Sequence, residues 1–138
     1  MDFINDSLST NPLPTVAALD ALVGEIVAVI IGGFDRGVDQ SDLIDYLATK
    51  GEEVKIACIP DTGTVIAQEL AARGVVATVV EYPDLEAATK GCFEWVNNIG
   101  AGVVLLSPAA ASFNAFENYR ERGDKFAELA EGLVEAFS

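Results

Sequence analysis

The stretch that decides the fold is Ile26-Val27-Ala28-Val29-Ile30-Ile31-Gly32-Gly33-Phe34-Asp35-Arg36-Gly37. Its first six residues are apolar, mostly β-branched and without polar alternation, as is typical of a strand buried on both faces of a parallel sheet. The glycines that follow permit a tight loop or a close approach of the backbone to a ligand. Arg36, the first basic residue of the chain, is therefore either an ordinary solvated charge or a ligand-binding cation.

Outward from this strand, helical and extended patterns alternate along the chain. Further strands are predicted at 54–59, at 76–80 and from Val103, and helices from Pro12, over 40–48, after Gly63, from Pro83 and near the C-terminus. The order αβαβαβαβα predicts parallel strands joined by right-handed crossovers. The expected fold class is α/β, a Rossmann-like three-layer sandwich, with residues 1–138 as one domain. Residues 1–11 are polar and are expected to form turns.

The composition narrows the possible chemistry. The net charge of −14 argues against nucleic acid and anionic membranes as partners. The absence of histidine removes Ser-His-Asp and Cys-His catalysis and every metal site that contains histidine. No apolar run approaches the roughly 18 residues of a membrane helix, and no signal peptide is visible. Two distant cysteines without a CxxC motif favour a reduced, cytoplasmic setting.

Pocket residues of such a fold are expected in the loops that follow strands, at 32–37, 60–63 and 107–112. Ser112 is expected just before a helix, where free backbone amides can bind an anion. The alternative is an ordinary connection between a strand and a helix.

Several binding motifs are missing or weak. No GxxxxGK[ST] phosphate loop occurs, and Gly32-Gly33 does not complete GxGxxG. Asp35 and Asp39 are weak candidates for a metal site, and helix capping is the expected role of Asp39. Cys92 is expected to be a core thiol.

Three segments carry a resemblance to a known family. They are Asn5-Asp6-Ser7-Leu8-Ser9-Thr10-Asn11-Pro12, Gly32-Gly33-Phe34-Asp35-Arg36-Gly37-Val38-Asp39, and Leu106-Ser107-Pro108-Ala109-Ala110-Ala111-Ser112-Phe113 continuing to Glu121-Arg122-Gly123-Asp124-Lys125-Phe126. In this order they resemble the C-terminal domain of the Mur ligases, most closely the members that add D-glutamate.

The resemblance implies a function for the whole chain. It implies the amino-acid-binding domain of a three-domain ligase of peptidoglycan synthesis, with residues 1–11 as an inter-domain linker motif. The full enzyme would use ATP and Mg²⁺ to phosphorylate the carboxylate of UDP-N-acetylmuramoyl-L-alanine, and the amine of D-glutamate would attack the acyl phosphate. This domain alone would hold neither cofactor and would be inactive.

The resemblance also assigns residues to the site. Those implied to bind D-glutamate are Thr10, Arg36, Ser112, Phe113 and Tyr119. Asp6 matches a residue that contacts the nucleotide ribose, and no catalytic residue or metal ligand is assigned. Arg36 suits this ligand, because a guanidinium can bind a carboxylate through two parallel N–H bonds.

Two departures and two alternatives remain open at this point. Leu8 stands where relatives commonly carry lysine, and Asn114 replaces their usual Asp. The chain could instead be a non-catalytic Rossmann-like module that binds another acidic small molecule, or a Mur-type domain for a different amino acid.

Overall fold

A computed structural model describes residues 1–50, 53–112 and 116–137. Five strands and five helices alternate along these residues: β1 (Asp2–Asn5), α1 (Pro12–Ala21), β2 (Val27–Gly32), α2 (Ser41–Lys50), β3 (Val54–Ile59), α3 (Thr62–Ala72), β4 (Val79–Glu81), α4 (Leu85–Ile99), β5 (Val103–Leu106) and α5 (Tyr119–Ala136). The strands form one parallel sheet in the order β1-β5-β2-β3-β4. The predicted α/β sandwich is confirmed.

Two apolar clusters place the helices in two layers. Alternate residues of β2 point to opposite faces, because side chains alternate along a strand. Val29 and Ile31 pack in one cluster with residues of α1, α2 and α3, whereas Ala28 and Ile30 pack in the other with residues of α4 and α5. All six residues of β2 are buried, which explains why the strand lacks polar alternation.

The N-terminal segment differs from its prediction. Residues 1–11 were expected to form turns, but Asp2–Asn5 forms the edge strand β1, paired with β5 in parallel register from Asp2↔Val103 to Asn5↔Leu106. Three of its four residues are exposed, so the polar composition that suggested turns reflects an edge position.

The short strand β4 also differs from its prediction. The run 76–80 was expected to be extended, but β4 covers Val79–Glu81, and Val76 lies 62% exposed outside the strand. The strand predicted from this apolar run was therefore too long and was placed too early in the chain.

The strand order fixes the place where a ligand can bind. The chain leaves β2 towards α2 on one face of the sheet and leaves β5 towards α5 on the other, and β2 and β5 are neighbours. Such a topological switch point is where ligands bind in open α/β sheets, outside the carboxyl ends of the strands. The loops that follow β2 and β5 therefore carry the candidate site.

Both cysteines are buried, free thiols, and burial raises the pKa of each from 9.0 to about 12. We expect iodoacetamide at pH 8 to alkylate them far more slowly in the native protein than in denaturant, because the thiolate is the nucleophile.

The buried thiols also make the free energy of unfolding depend on pH. Since the folded-state pKa of each thiol is the higher one, the stability that comes from keeping the thiols protonated is complete below about pH 9 and is lost as the pH rises towards 12. Denaturation curves across that window would measure the loss, and a variant with Ala at Cys58 and Cys92 should lack this component.

Within the described part of the chain, no helix combines the length and the apolar character that a membrane crossing requires.

Candidate functional site

Backbone hydrogen bonds join the loops that follow β2 and β5. The Gly32 amide donates to the Pro108 carbonyl at 2.9 Å, and the Phe34 amide donates to the Ala111 carbonyl at 2.9 Å. Phe34 and Ala111 thus form an isolated antiparallel bridge. The two segments predicted to form the site therefore meet at the switch point.

The loop that follows β3 joins the same arrangement. The Gly33 carbonyl accepts from the amides of Asp61 at 2.8 Å and Thr62 at 3.0 Å. All three loops predicted to contribute pocket residues are thus connected through backbone atoms.

Thr10 and Arg36 line one small cleft at this edge, with a volume of about 10 Å³. Arg36 is exposed, and its guanidinium makes no ion pair with any residue that the structure describes. The structure therefore brings together two of the predicted glutamate-binding residues and leaves the cation available to a ligand.

Gln40 is a polar residue of this cleft that the sequence did not single out. Its side chain is 9% exposed, and its Nε2 donates to the Ala109 carbonyl at 2.9 Å. Ala109 itself has a positive φ of 59°. The Gln40 Oε1 atom is buried without a hydrogen-bond partner among the described residues, and no signal in the sequence marked it.

Ser112 lies in a neighbouring and larger cavity of about 360 Å³. Phe34 lines both this cavity and the cleft that holds Arg36. Ser112 is 6% exposed. Arg122 lines the same cavity.

The guanidinium of Arg122 is held by neutral oxygens. Its Nε donates to Ser7 Oγ at 2.9 Å, its Nη2 to the Ser7 carbonyl at 2.7 Å and its Nη1 to the Ala110 carbonyl at 2.9 Å. Arg122 is 1% exposed, and burial lowers its pKa from 12.5 to about 10. An alanine at Gly33 would place its Cβ 2.5 Å from the Ala111 carbonyl oxygen and 3.2 Å from Nη1, so the glycine gives space first to the neighbouring backbone and then to the guanidinium.

Helix periodicity could have identified Arg122 as buried. It lies four residues before Phe126, an apolar residue of the same helix, and residues i and i+4 share a helix face. Phe126 is indeed 1% exposed.

The predicted helix start at Ser112 is wrong. Helix α5 begins at Tyr119, and its cap is Asn118, whose side chain accepts from the Glu121 amide at 2.9 Å. Ser112 lies further upstream, where its carbonyl accepts from the Phe116 amide at 3.0 Å. The positive group that the structure places in the cavity of Ser112 is the Arg122 guanidinium.

This correction predicts a difference between two substitutions. Asn118→Ala should lower the free energy of unfolding by about 1 kcal/mol, because it removes the cap of α5. Ser112→Ala should change it by less than about 0.5 kcal/mol without ligand, since the cap of α5 is Asn118 and not Ser112. Urea denaturation would measure both, and the opposite ranking would contradict the assigned helix start.

Tyr119 and Asp6 lie apart from the two cavities just described. Tyr119 lines a third cavity of about 280 Å³, together with Leu8. Asp6 Oδ2 accepts from Ser107 Oγ at 2.7 Å and, over a shorter distance, from Ser9 Oγ. The structure thus distributes the predicted site over separate cavities.

Phe113 and Asn114 lie outside the described residues, so their predicted positions in the site remain predictions.

The acidic residues of the Arg36 loop have local roles. Asp39 accepts from the Ser41 amide at 2.9 Å and the Ser41 hydroxyl at 2.5 Å, and these bonds lower its pKa. Asp39 thus pairs with the first residue of α2, and Gln40 lies between them. Asp35 accepts from the Gly37 amide at 2.8 Å. Across residues 1–50, 53–112 and 116–137, no group of three or more acidic or cysteine side chains is arranged to hold a metal ion.

Comparison with known proteins gives the chain its family. No protein-family model matches it. It is 42% identical over 129 residues to a UDP-N-acetylmuramoyl-L-alanine--L-glutamate ligase of Micromonospora sp., a match that covers 93% of the chain and 27% of the relative. It is 38% identical over 125 residues to a UDP-N-acetylmuramoylalanine--D-glutamate ligase of Geobacillus kaustophilus, over 90% of the chain and 26% of the relative.

The chain thus spans about a quarter of the length of these relatives, and relatives of both names match nearly all of it. The chain belongs to the Mur ligase family.

Proposed function

We propose that the chain is the C-terminal, amino-acid-binding domain of an ATP-dependent ligase that adds glutamate to UDP-N-acetylmuramoyl-L-alanine in cytoplasmic peptidoglycan synthesis. The observation that carries this proposal is the meeting of the Arg36 loop and the Ser112 loop at the switch point. The names of the relatives support the choice of glutamate.

The proposed ligand fits the charges at this edge. Glutamate carries two carboxylates, whereas the protein has a net charge of −14, so the ligand needs a local cation. The exposed guanidinium of Arg36 can bind one carboxylate through two parallel N–H bonds, and the Thr10 hydroxyl can donate to the same group. Ser112 provides a buried hydroxyl in the adjoining cavity.

D-Glutamate is the first candidate substrate, as the sequence motifs imply. L-Glutamate is the second, because relatives at 42% and 38% identity are named L-glutamate ligases. Both enantiomers carry the same charges and differ only in the order of groups at one carbon, so the test must include both.

ATP with Mg²⁺ would supply the activation of the carboxylate in the full ligase. The described residues contain no cluster that fits the metal, and the sequence lacks a phosphate loop. We therefore assign this chain the capture and orientation of the amino acid, and we expect the chain alone to bind it weakly and to form no product.

The test is calorimetry of D- and L-glutamate with the natural full-length protein and its Arg36→Ala variant. We expect Arg36→Ala to weaken binding of the true substrate about tenfold, or about 1.4 kcal/mol, because it removes an exposed rather than buried carboxylate partner. Lys90→Ala, which removes an exposed cation of α4, is the control and should leave affinity unchanged. Equal affinities for wild type and Arg36→Ala would refute the assignment, and the preferred enantiomer would identify the substrate.

A further inference from the structure

We propose that Gln40 is a positioning residue, whose bond to the Ala109 carbonyl holds the loop after β5 in its ligand-binding geometry. The inference rests on the proposed function in taking glutamate as the ligand of the site. It adds a residue to which the sequence motifs give no role and which touches the ligand through no atom of its own.

The first argument is the way in which the loop 107–112 is held. Each of its six carbonyls accepts a hydrogen bond. The donors, in order from Ser107 to Ser112, are Thr15 Oγ1, the Gly32 amide, Gln40 Nε2, Arg122 Nη1, the Phe34 amide and the Phe116 amide. The path of the loop is thus set by donors outside it, and the donor to Ala109 is a side chain.

The second argument is the conformation of Ala109. With a φ of 59°, it is the one residue other than glycine at positive φ in the part of the chain that the structure describes. This left-handed conformation places Cβ too close to the following carbonyl oxygen, so it persists only where the surrounding structure holds it. No described backbone amide donates to the Ala109 carbonyl, which leaves the Gln40 amide to orient that peptide group.

Gln40 is well placed to act as a fixed support. It directly precedes α2, and its carbonyl accepts from the Ile44 amide at 3.0 Å. Its Oε1 is buried without a partner among the described residues. An unpaired buried oxygen costs about as much as one neutral hydrogen bond gains, so this side chain adds little net stability. Its effect is therefore expected in the geometry of the loop.

The position of Ala109 connects this geometry to ligand binding. Ala109 lines the cleft of Thr10 and Arg36, and Ser112, three residues later, lines the 360 Å³ cavity. A rotation at Ala109 would redirect the chain between these two parts of the site. Loss of the Gln40 bond should therefore weaken binding without unfolding the protein.

The first test is Gln40→Met, which keeps the length of the side chain and removes its hydrogen bond. Calorimetry of D- and L-glutamate with the natural full-length protein should show affinity for the preferred enantiomer weakened about tenfold. The urea midpoint should stay close to that of wild type, because an unpaired oxygen is removed together with the bond. Gln68→Met, an exposed glutamine of α3, is the matched control and should change neither quantity.

The second test asks whether Gln40 acts through the strain at Ala109. Glycine adopts a positive φ without the Cβ clash, so Gln40→Met should weaken binding by less than about threefold when Ala109→Gly is also present. Comparing the two backgrounds cancels the separate effect of the lost Ala109 methyl group. Equal losses in both backgrounds would overturn the inference, as would a Gln40→Met protein that binds within about twofold of wild type.

A measurement without ligand separates this inference from the proposed function. The coupling between the amide and α protons of Ala109 reports φ, and we expect it to change in Gln40→Met. If the coupling is unchanged, the inference is wrong and the proposed function stands on its own binding test. If the wild-type protein binds neither enantiomer, the proposed function fails, and the coupling alone decides whether Gln40 holds the loop.

Discussion

Gly32→Ala should prevent stable folding, with a loss of more than about 4 kcal/mol in the free energy of unfolding. A Cβ at position 32 would lie 2.0 Å from the carbonyl oxygen of Ile59, the residue paired with Gly32 in the adjacent strand. The glycine also has a φ of +129°, which strains any residue with a side chain. Relief would require β2 and β3 to separate at their carboxyl ends, because Gly32 and Ile59 are the last residues of these strands.

A matched glycine provides the control. Gly132 lies in α5 with no atom within 4 Å of its ideal Cβ position, so Gly132→Ala should stabilise the protein by about 0.5–1 kcal/mol. Thermal unfolding followed by circular dichroism would compare the two variants. A Gly32→Ala protein that melts within a few degrees of wild type would contradict the close approach of the strands.

Arg122→Ala should lower the free energy of unfolding by about 3–5 kcal/mol. The change leaves three oxygens, two on Ser7 and one on Ala110, without the donors that they have in the native structure. It also removes two of the bonds that join the N-terminal segment to α5, leaving those from Ser7 Oγ to the Tyr119 carbonyl and from Asn5 Nδ2 to the Gly123 carbonyl.

Arg122→Met separates the hydrogen bonds from the packing of the side chain, since methionine retains most of the aliphatic length. We expect it to remain destabilised by at least about 2 kcal/mol, because the same oxygens stay unpaired. Arg120→Ala should fall within about 0.5 kcal/mol of wild type, since this side chain is exposed. Urea denaturation would measure the series, and wild-type stability of Arg122→Met would show that these bonds do not stabilise the fold.

The central strands and the fold class could be predicted from the sequence because their burial leaves a direct pattern. The run from Ile26 to Ile31 has no polar residue, which only a strand covered on both faces tolerates. The edge strands could not be placed in this way. β1 is mostly exposed, and its pairing with β5 depends on residues about 100 positions away in the sequence.

The site was predictable to a lesser degree. The topology placed the loops of Arg36 and Ser112 at one edge, but it could not show that they adjoin different cavities, because that depends on the Phe34–Ala111 bridge. Asn118 rather than Ser112 caps α5, since several polar residues near a helix start are equally suitable caps by sequence alone. The unpartnered Gln40 oxygen reflects the path of the neighbouring backbone and leaves no trace in a sequence pattern.

The backbone hydrogen bonds among the three loops also determine which parts of the site lose conformational entropy when a ligand binds. The Gly33 carbonyl accepts two amides, and the amides of Gly32 and Phe34 are already paired across the switch point. The loop backbone is therefore ordered before a ligand arrives. Arg36, exposed and without a described ion pair, still has to give up side-chain freedom, which costs up to about 2 kcal/mol for an arginine. A substitution that restricts this side chain in its binding rotamer would thus strengthen binding without adding a contact.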